Sequence, residues 1–209
     1  MNPTKTVAVA FTGASGIAYG LRLVECLLRA DARVWLMYSE AAQVVARQET
    51  DMTLPDAPEA AQRQLSERFG APEGRIKVFG RKDWFAPPAS GSNPPDALVI
   101  CPCSMGTLGR VAAGLADDLI ARAADVALKE GRKLILVPRE TPLSAIHLEN
   151  MLKLSRAGAV ILPPSPGFYH RPRSVAEVVD FVVARILDQL GVEHALTPRW
   201  GAGGGGDCL

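Results

Sequence analysis

Pro138-Arg139-Glu140-Thr141-Pro142 sets a guanidinium beside a carboxylate at the end of an apolar run, Lys133–Val137. The arginine can hold an anion and Glu140 can accept a proton; the plainer alternative is a surface ion pair. Thr12-Gly13-Ala14-Ser15-Gly16 follows another apolar run, Lys5–Phe11. Glycines there let backbone approach an anion, and a helix start beyond them offers free N–H groups and partial positive charge. The alternative is a tight turn with Ser15 as a cap. Cys101-Pro102-Cys103-Ser104-Met105-Gly106-Thr107 looks like a metal site, but two cysteines one residue apart need further ligands and none lie near. Cys101 reads better as a small buried residue, and Ser104 to Thr107 as hydroxyls and N–H groups at a second helix start. His147, His170 and His194 form no metal spacing.

The remaining cations have two readings each. Arg122 and Lys129 are seven apart, with Asp125 between, so they share one helix face; they form either an anion-binding stripe or a solvated charge ladder. Arg185 follows Val178, Phe181 and Val182 at helical spacing. It either snorkels from an apolar stripe or receives an anion. Phe168-Tyr169-His170-Arg171 lies in a proline-rich loop, where it binds a ligand or fills space. A dinucleotide site is disfavoured. Gly16 falls three residues after Gly13, one short of the short-chain dehydrogenase pattern, and no Tyr-x-x-x-Lys occurs. The second strand ends in Ser39, not in an acid for a ribose hydroxyl. A mononucleotide with one phosphate fits better.

Strand-like and helix-like segments alternate along the chain. Lys5–Phe11, Arg33–Tyr38, Arg75–Phe79, Asp96–Cys101, Lys133–Val137 and Ala159–Leu162 read as strands. Helical patterns cover Ile17–Ala30, Glu40–Glu49 behind the cap Ser39, Met105–Ala113, Asp118–Glu130, Pro142 to about Ala157, and Val175–Leu190. Asp117 is the expected cap and Gly131 the stop of the fourth of these. Pro142 suits a first helical position, and Ser174 with Glu177 forms a capping-box sequence. Residues 53–74 hold a short helix between turns. Mostly continuous apolar strands alternating with helices predict a single-domain α/β fold: a parallel sheet covered on both faces, flavodoxin-like or Rossmann-like. Ligands in such sheets bind beyond the carboxyl ends of the strands. That rule selects residues 12–16, 39, 84–92, 101–107, 138–141 and 163–173.

The chain has 209 residues and a net charge of +1. One domain over residues 1–191 and a tail over 192–209, flexible beyond about Trp200, are expected. The charge balance excludes a general electrostatic binder of nucleic acid or anionic membrane. No apolar run reaches the roughly 20 residues of a membrane span, and the amino-terminal residues lack a leader pattern; a cytoplasmic protein is expected. Four cysteines without repeated spacing make no disulfide framework. Thirty alanines and few aromatics fit either close helix packing within an oligomer or a GC-rich genome that favours Ala, Gly, Pro and Arg.

Taken in order, Gly13-Ala14-Ser15-Gly16, Ser39, Ser90-Gly91-Ser92, Cys101-Pro102-Cys103-Ser104-Met105, Pro138-Arg139-Glu140-Thr141-Pro142 and Pro166-Gly167-Phe168-Tyr169 resemble the UbiX-type flavin prenyltransferases, once labelled aromatic-acid decarboxylases. The resemblance spans about residues 5–190. It implies transfer of the dimethylallyl group of dimethylallyl phosphate to N5 and then C6 of reduced FMN, without a metal. It implies prenylated FMN as product, delivered to UbiD-type decarboxylases such as those of ubiquinone biosynthesis, and a homododecamer with sites at subunit contacts. Carried over by residue, Gly13, Ala14, Ser15, Ser39, Ser90, Ser104, Met105, Gly106, Thr107 and Arg139 hold FMN. Tyr169 and Arg185 bind dimethylallyl phosphate, with Lys129, Arg122 and Trp84. Glu140 transfers a proton, with Ser15 as relay and Lys129 and Glu49 as additions. The competing readings are a flavin-dependent decarboxylase of the phosphopantothenoylcysteine class and a flavin carrier without chemistry. The first of these lacks its Pro-x-Met-Asn-x-x-Met-Trp segment here.

Overall fold

The computed structural model describes residues 4–199. Six parallel strands form one sheet: β1 (Thr6–Phe11), β2 (Arg33–Tyr38), β3 (Ile76–Val78), β4 (Ala97–Cys103), β5 (Lys133–Pro138) and β6 (Val160–Ile161), in the order β3-β2-β1-β4-β5-β6. This is the doubly wound order, whose direction of winding reverses between β1 and β4. The predicted α/β architecture is present.

Alternation along the strands divides the core. Val7, Val9 and Phe11 of β1 face one layer, and Ala8 and Ala10 face the other. The first layer takes α1 (Ile17–Arg29), α2 (Glu40–Glu49), α3 (Pro58–Phe69) and α7 (Val175–Leu190). The second takes α4 (Met105–Ala112), α5 (Leu119–Lys129) and α6 (Ala145–Arg156). Helix α1 lies close to the sheet at Gly20. A Cβ there would stand 2.4 Å from the Cys101 carbonyl oxygen and 2.6 Å from the Phe11 ring.

Several boundaries differ from the sequence reading. Gly16, not Ser15, caps α1, at φ 104° and without a side-chain bond. Asp118, not Asp117, caps α5, because its carboxylate accepts from Ala121 N at 2.8 Å. Pro142 does not open α6. The Thr141-Pro142 peptide is cis, and α6 begins three residues later, where Ser144 and His147 form a reciprocal capping box. Ser174 caps α7 as expected, but Glu177 reaches back to Arg173 N at 2.8 Å instead of closing the box. Residues 53–74 contain a three-turn helix, α3.

The chain beyond α7 stays tied to the domain as far as described. Val192 and Leu196 pack on the first core layer, and His194 Nε2 meets Asp188 Oδ1 at 3.2 Å. The expected flexibility beyond Trp200 falls outside the described residues. Among the described residues, no helix is long and apolar enough to cross a membrane.

Candidate functional site at the carboxyl edge of the sheet

Thr12, at the end of β1, binds the end of β4 to it. Its hydroxyl donates to Pro102 O at 2.8 Å and accepts from Ser104 N at 2.7 Å. Its own N–H also donates to Pro102 O, at 3.2 Å. The Cys101-Pro102 peptide within this segment is cis. Thr12 is buried and spans the point where the sheet's winding reverses. Sequence reasoning placed it in the right segment but assigned it nothing. Its signal, a hydroxyl closing a wholly apolar strand, was available.

Around this tether the structure gathers most of the expected flavin-binding residues. Ser39 N donates to Phe11 O at 3.1 Å, and Ser39 Oγ caps α2 by accepting from Ala42 N. Ser104 Oγ caps α4 by accepting from Thr107 N at 3.2 Å, and lies 3.1 Å from Thr107 Oγ1. Met105 and Gly106 form the first turn of α4. Arg139 N donates to Cys103 O at 3.3 Å. The buried Arg139 Nε has no hydrogen-bond partner. A buried cationic donor without an acceptor is costly, so this one is built for an anion that the chain does not supply. Arg139 forms no ion pair with Glu140 among the described residues. Glu140 is exposed, and its Oε1 accepts from Thr141 N at 3.1 Å.

The turn at 13–16 differs from a simple phosphate cradle. The Glu49 carboxylate, at the end of α2, occupies the start of α1. It accepts from Gly16 N at 2.8 Å and from Ile17 N at 3.0 Å. The helix therefore already has its anion. Gly13 is small because Ala41 is close: a Cβ on Gly13 would stand 2.3 Å from the Ala41 Cβ. Packing and the positive φ of Gly16 account for both glycines. Exposed Ser15 stands between Ala14 and this carboxylate-filled helix start. The α4 start and Arg139 are left as the positions for a phosphate.

The two cysteines are inert in place. Burial pushes the Cys103 thiol up to about 12, and burial, then the neighbouring Cys103, pushes Cys101 higher still. A thiol held protonated is a poor metal ligand or nucleophile, and no group of metal-ligating side chains occurs among the described residues.

Other expected site residues lie elsewhere in the protomer. Lys129 ends α5, four residues before β5 begins, and so stands at the amino edge of the sheet. Its Nζ pairs with Glu130 Oε1, and that ion pair lowers the Glu130 pKa. Ser90 stands beside it: a Cβ on Gly91 would collide with Glu130 and lie 2.9 Å from Lys129 Nζ. Ser90 Oγ pairs with Ser92 Oγ at 2.9 Å. The sequence reading put residues 84–92 at the carboxyl edge. A crossover between parallel strands must return to the opposite edge, and this one descends along α5, so its Ser90 end is at the bottom. Higher on the same helix, Arg122 Nε donates to Ala89 O at 3.0 Å and Nη1 to Asp125 at 2.7 Å. Trp84, half exposed, has Lys82 Nζ 5.7 Å from its ring centroid.

Arg185 and Tyr169 belong to the opposite face. Arg185, on α7, donates to Asp188 Oδ2 at 2.6 Å. Tyr169 projects from the loop before α7, 82% exposed. The sheet thus stands between Arg122 and Lys129 on one side and Arg185 on the other.

The chain matches the Flavoprotein family over residues 1–187. It is 59% identical to the flavin prenyltransferase UbiX of Pseudomonas aeruginosa over 201 residues, 96% of each chain. It is 42% identical to the mitochondrial flavin prenyltransferase PAD1 of Saccharomyces cerevisiae, covering 94% of this chain and 75% of that one. Among solved structures it resembles AnUbiX (PadA1) in complex with FMN and dimethylallyl pyrophosphate, with TM-score 0.84, 40% identity and coverage of 95% and 98%. It also resembles a dodecameric FMN-dependent UbiX-like decarboxylase from Escherichia coli O157:H7, with TM-score 0.82, 42% identity and coverage of 94% and 99%. A phosphopantothenoylcysteine decarboxylase is 19% identical, with TM-score 0.55, and shares the fold alone. A sheet tethered at its winding reversal by Thr12, an unpartnered Arg139 Nε beside it and identity of up to 59% over nearly the whole chain together make the chain a member of the UbiX flavin prenyltransferase family.

Proposed function

We propose that the protein is a cytoplasmic, metal-independent flavin prenyltransferase that joins the dimethylallyl group of dimethylallyl phosphate to reduced FMN. The observation that carries the reading is the buried, unpartnered Arg139 Nε beside the hydroxyl-lined start of α4. That pairing fits a flavin mononucleotide phosphate, with Gly13, Ala14, Ser15 and Ser39 left for the rest of the ligand. Reduced FMN supplies the nucleophilic atoms N5 and C6.

The chain's own residues do the remaining work. Cleavage of the allylic carbon–oxygen bond leaves charge on phosphate, which Arg185, Arg122, Lys129 and Tyr169 stabilise. Trp84 provides an aromatic wall near the allyl group. Closing the second bond adds one proton to the dimethylallyl double bond and releases one from flavin C6; Glu140 carries that proton, with Ser15 as relay and Glu49 as an addition.

One phosphate cannot meet Arg122 and Arg185 of the same protomer when the sheet separates them. We therefore read the site as shared between subunits, in a homo-oligomer that we take to be a dodecamer. The product is prenylated FMN, and UbiD-type decarboxylases are its recipients.

Anaerobic incubation with reduced FMN and dimethylallyl phosphate tests this reading. The recovered flavin is expected to gain the mass of a dimethylallyl group and to change its absorption spectrum. Unmodified FMN, tightly bound, would instead mark a carrier.

A further inference from the structure

Tyr169 sits in a loop and Arg185 on a helix, yet the reading above gives them one ligand. Among the contacts that join the two elements, one is aromatic. The His170 ring lies against the Phe181 ring of α7, with centroids 5.5 Å apart and planes within 2°. Gly167 closes on the same ring: a Cβ there would stand 3.0 Å from Phe181 Cζ and 3.5 Å from the Tyr169 ring. Phe181 is itself seated on the first core layer. It precedes Arg185 by four residues, so the two share one helix face about 5–6 Å apart. Between them, Arg171 N donates to Phe168 O at 2.9 Å and Arg171 adopts φ 52°, which turns the loop back.

His170 Nε2 does not explain the residue's place. Nε2 is buried and has no hydrogen-bond partner, which is a cost to the folded chain. The ring is held for its face.

We propose that His170 and Phe181 are positioning residues, whose stacked rings fasten the Tyr169 loop to the α7 face that carries Arg185. The proposal rests on the reading that Tyr169 and Arg185 bind dimethylallyl phosphate. Offset aromatic stacking is a specific, directional contact; Glu177 holds the loop's far end at Arg173 N, so loss of the stack would free the stretch around Tyr169.

The variants H170A and H170F separate ring from nitrogen. In H170A, amides of residues 163–173 are expected to exchange hydrogen faster, and KM for dimethylallyl phosphate to rise about tenfold, with kcat and FMN affinity unchanged. In H170F both are expected to return to wild-type values. The melting midpoint of H170F should rise by about 2–4 °C, because the orphaned nitrogen is gone. If H170F exchanges and binds like H170A, the nitrogen rather than the face is what matters, and the proposal fails. It also fails if H170A leaves loop exchange unchanged. Faster exchange with unaltered KM would leave the anchor but remove its role in substrate binding. Loop exchange reads the anchor without turnover, so an inactive wild-type protein would count against the proposed function and not against the stack.

Discussion

Glu140→Gln is expected to bind both substrates normally and to turn over roughly 10²–10⁴ times more slowly, the usual worth of a positioned general base. The geometry keeps the variant clean. Glu140 is exposed and, among the described residues, its carboxylate accepts one bond, from Thr141 N, which a glutamine oxygen can accept equally well. Arg139 is not held by Glu140, so its guanidinium keeps its position when the charge is removed. What the glutamine cannot do is take a proton. Single-turnover rates beside calorimetric affinities for FMN and dimethylallyl phosphate make the measurement. Wild-type turnover in Glu140→Gln would reduce Glu140 to a residue that shapes the turn before the cis Thr141-Pro142 peptide.

Arg185→Ala should weaken dimethylallyl phosphate binding by about 10- to 150-fold. A charged hydrogen bond to phosphate is worth roughly 1.5–3 kcal/mol, and each 1.4 kcal/mol is about tenfold. FMN affinity should hardly change, because Arg185 lies on α7 while Ser39, Ser104 and Arg139 stand beyond the strand ends. The fold should survive as well. Asp188 keeps His194 as a partner at 3.2 Å when the arginine is gone, so the segment after α7 remains anchored. Loss of FMN instead would mean that the phosphate held by Arg185 is the flavin's.

The architecture was legible because its signals are local. Apolar β-branched runs, Ser39 before Glu40–Glu49 and Ser174 before α7 each state an element or its end within a few residues. The carboxyl-edge residues followed from the rule that such sheets bind ligands there. What the sequence did not show shares a cause: it depends on what a residue meets far along the chain. Glu49 lies 33 residues from the Gly16 N–H it serves, and no periodicity reveals that a carboxylate fills the helix start. Gly13 resembles a phosphate-turn glycine until Ala41 is seen against it. Ser90 sits in a crossover whose path down α5 is set by packing. Pro142 fits a helix start by its ring geometry, but the hydroxyl of Ser144 and the imidazole of His147 make a better cap two residues on.

The sheet that parts Arg122 from Arg185 has a genetic consequence. A subunit lacking Arg122 still carries a sound Arg185, and a subunit lacking Arg185 still carries a sound Arg122. Each variant alone makes only defective sites. Co-expressed in equal amounts and assembled at random, they should rescue one another wherever a site draws its Arg122 from one kind and its Arg185 from the other, which is about one quarter of sites. Had both arginines served a phosphate from the same protomer, no mixture of the two defective chains would recover any activity.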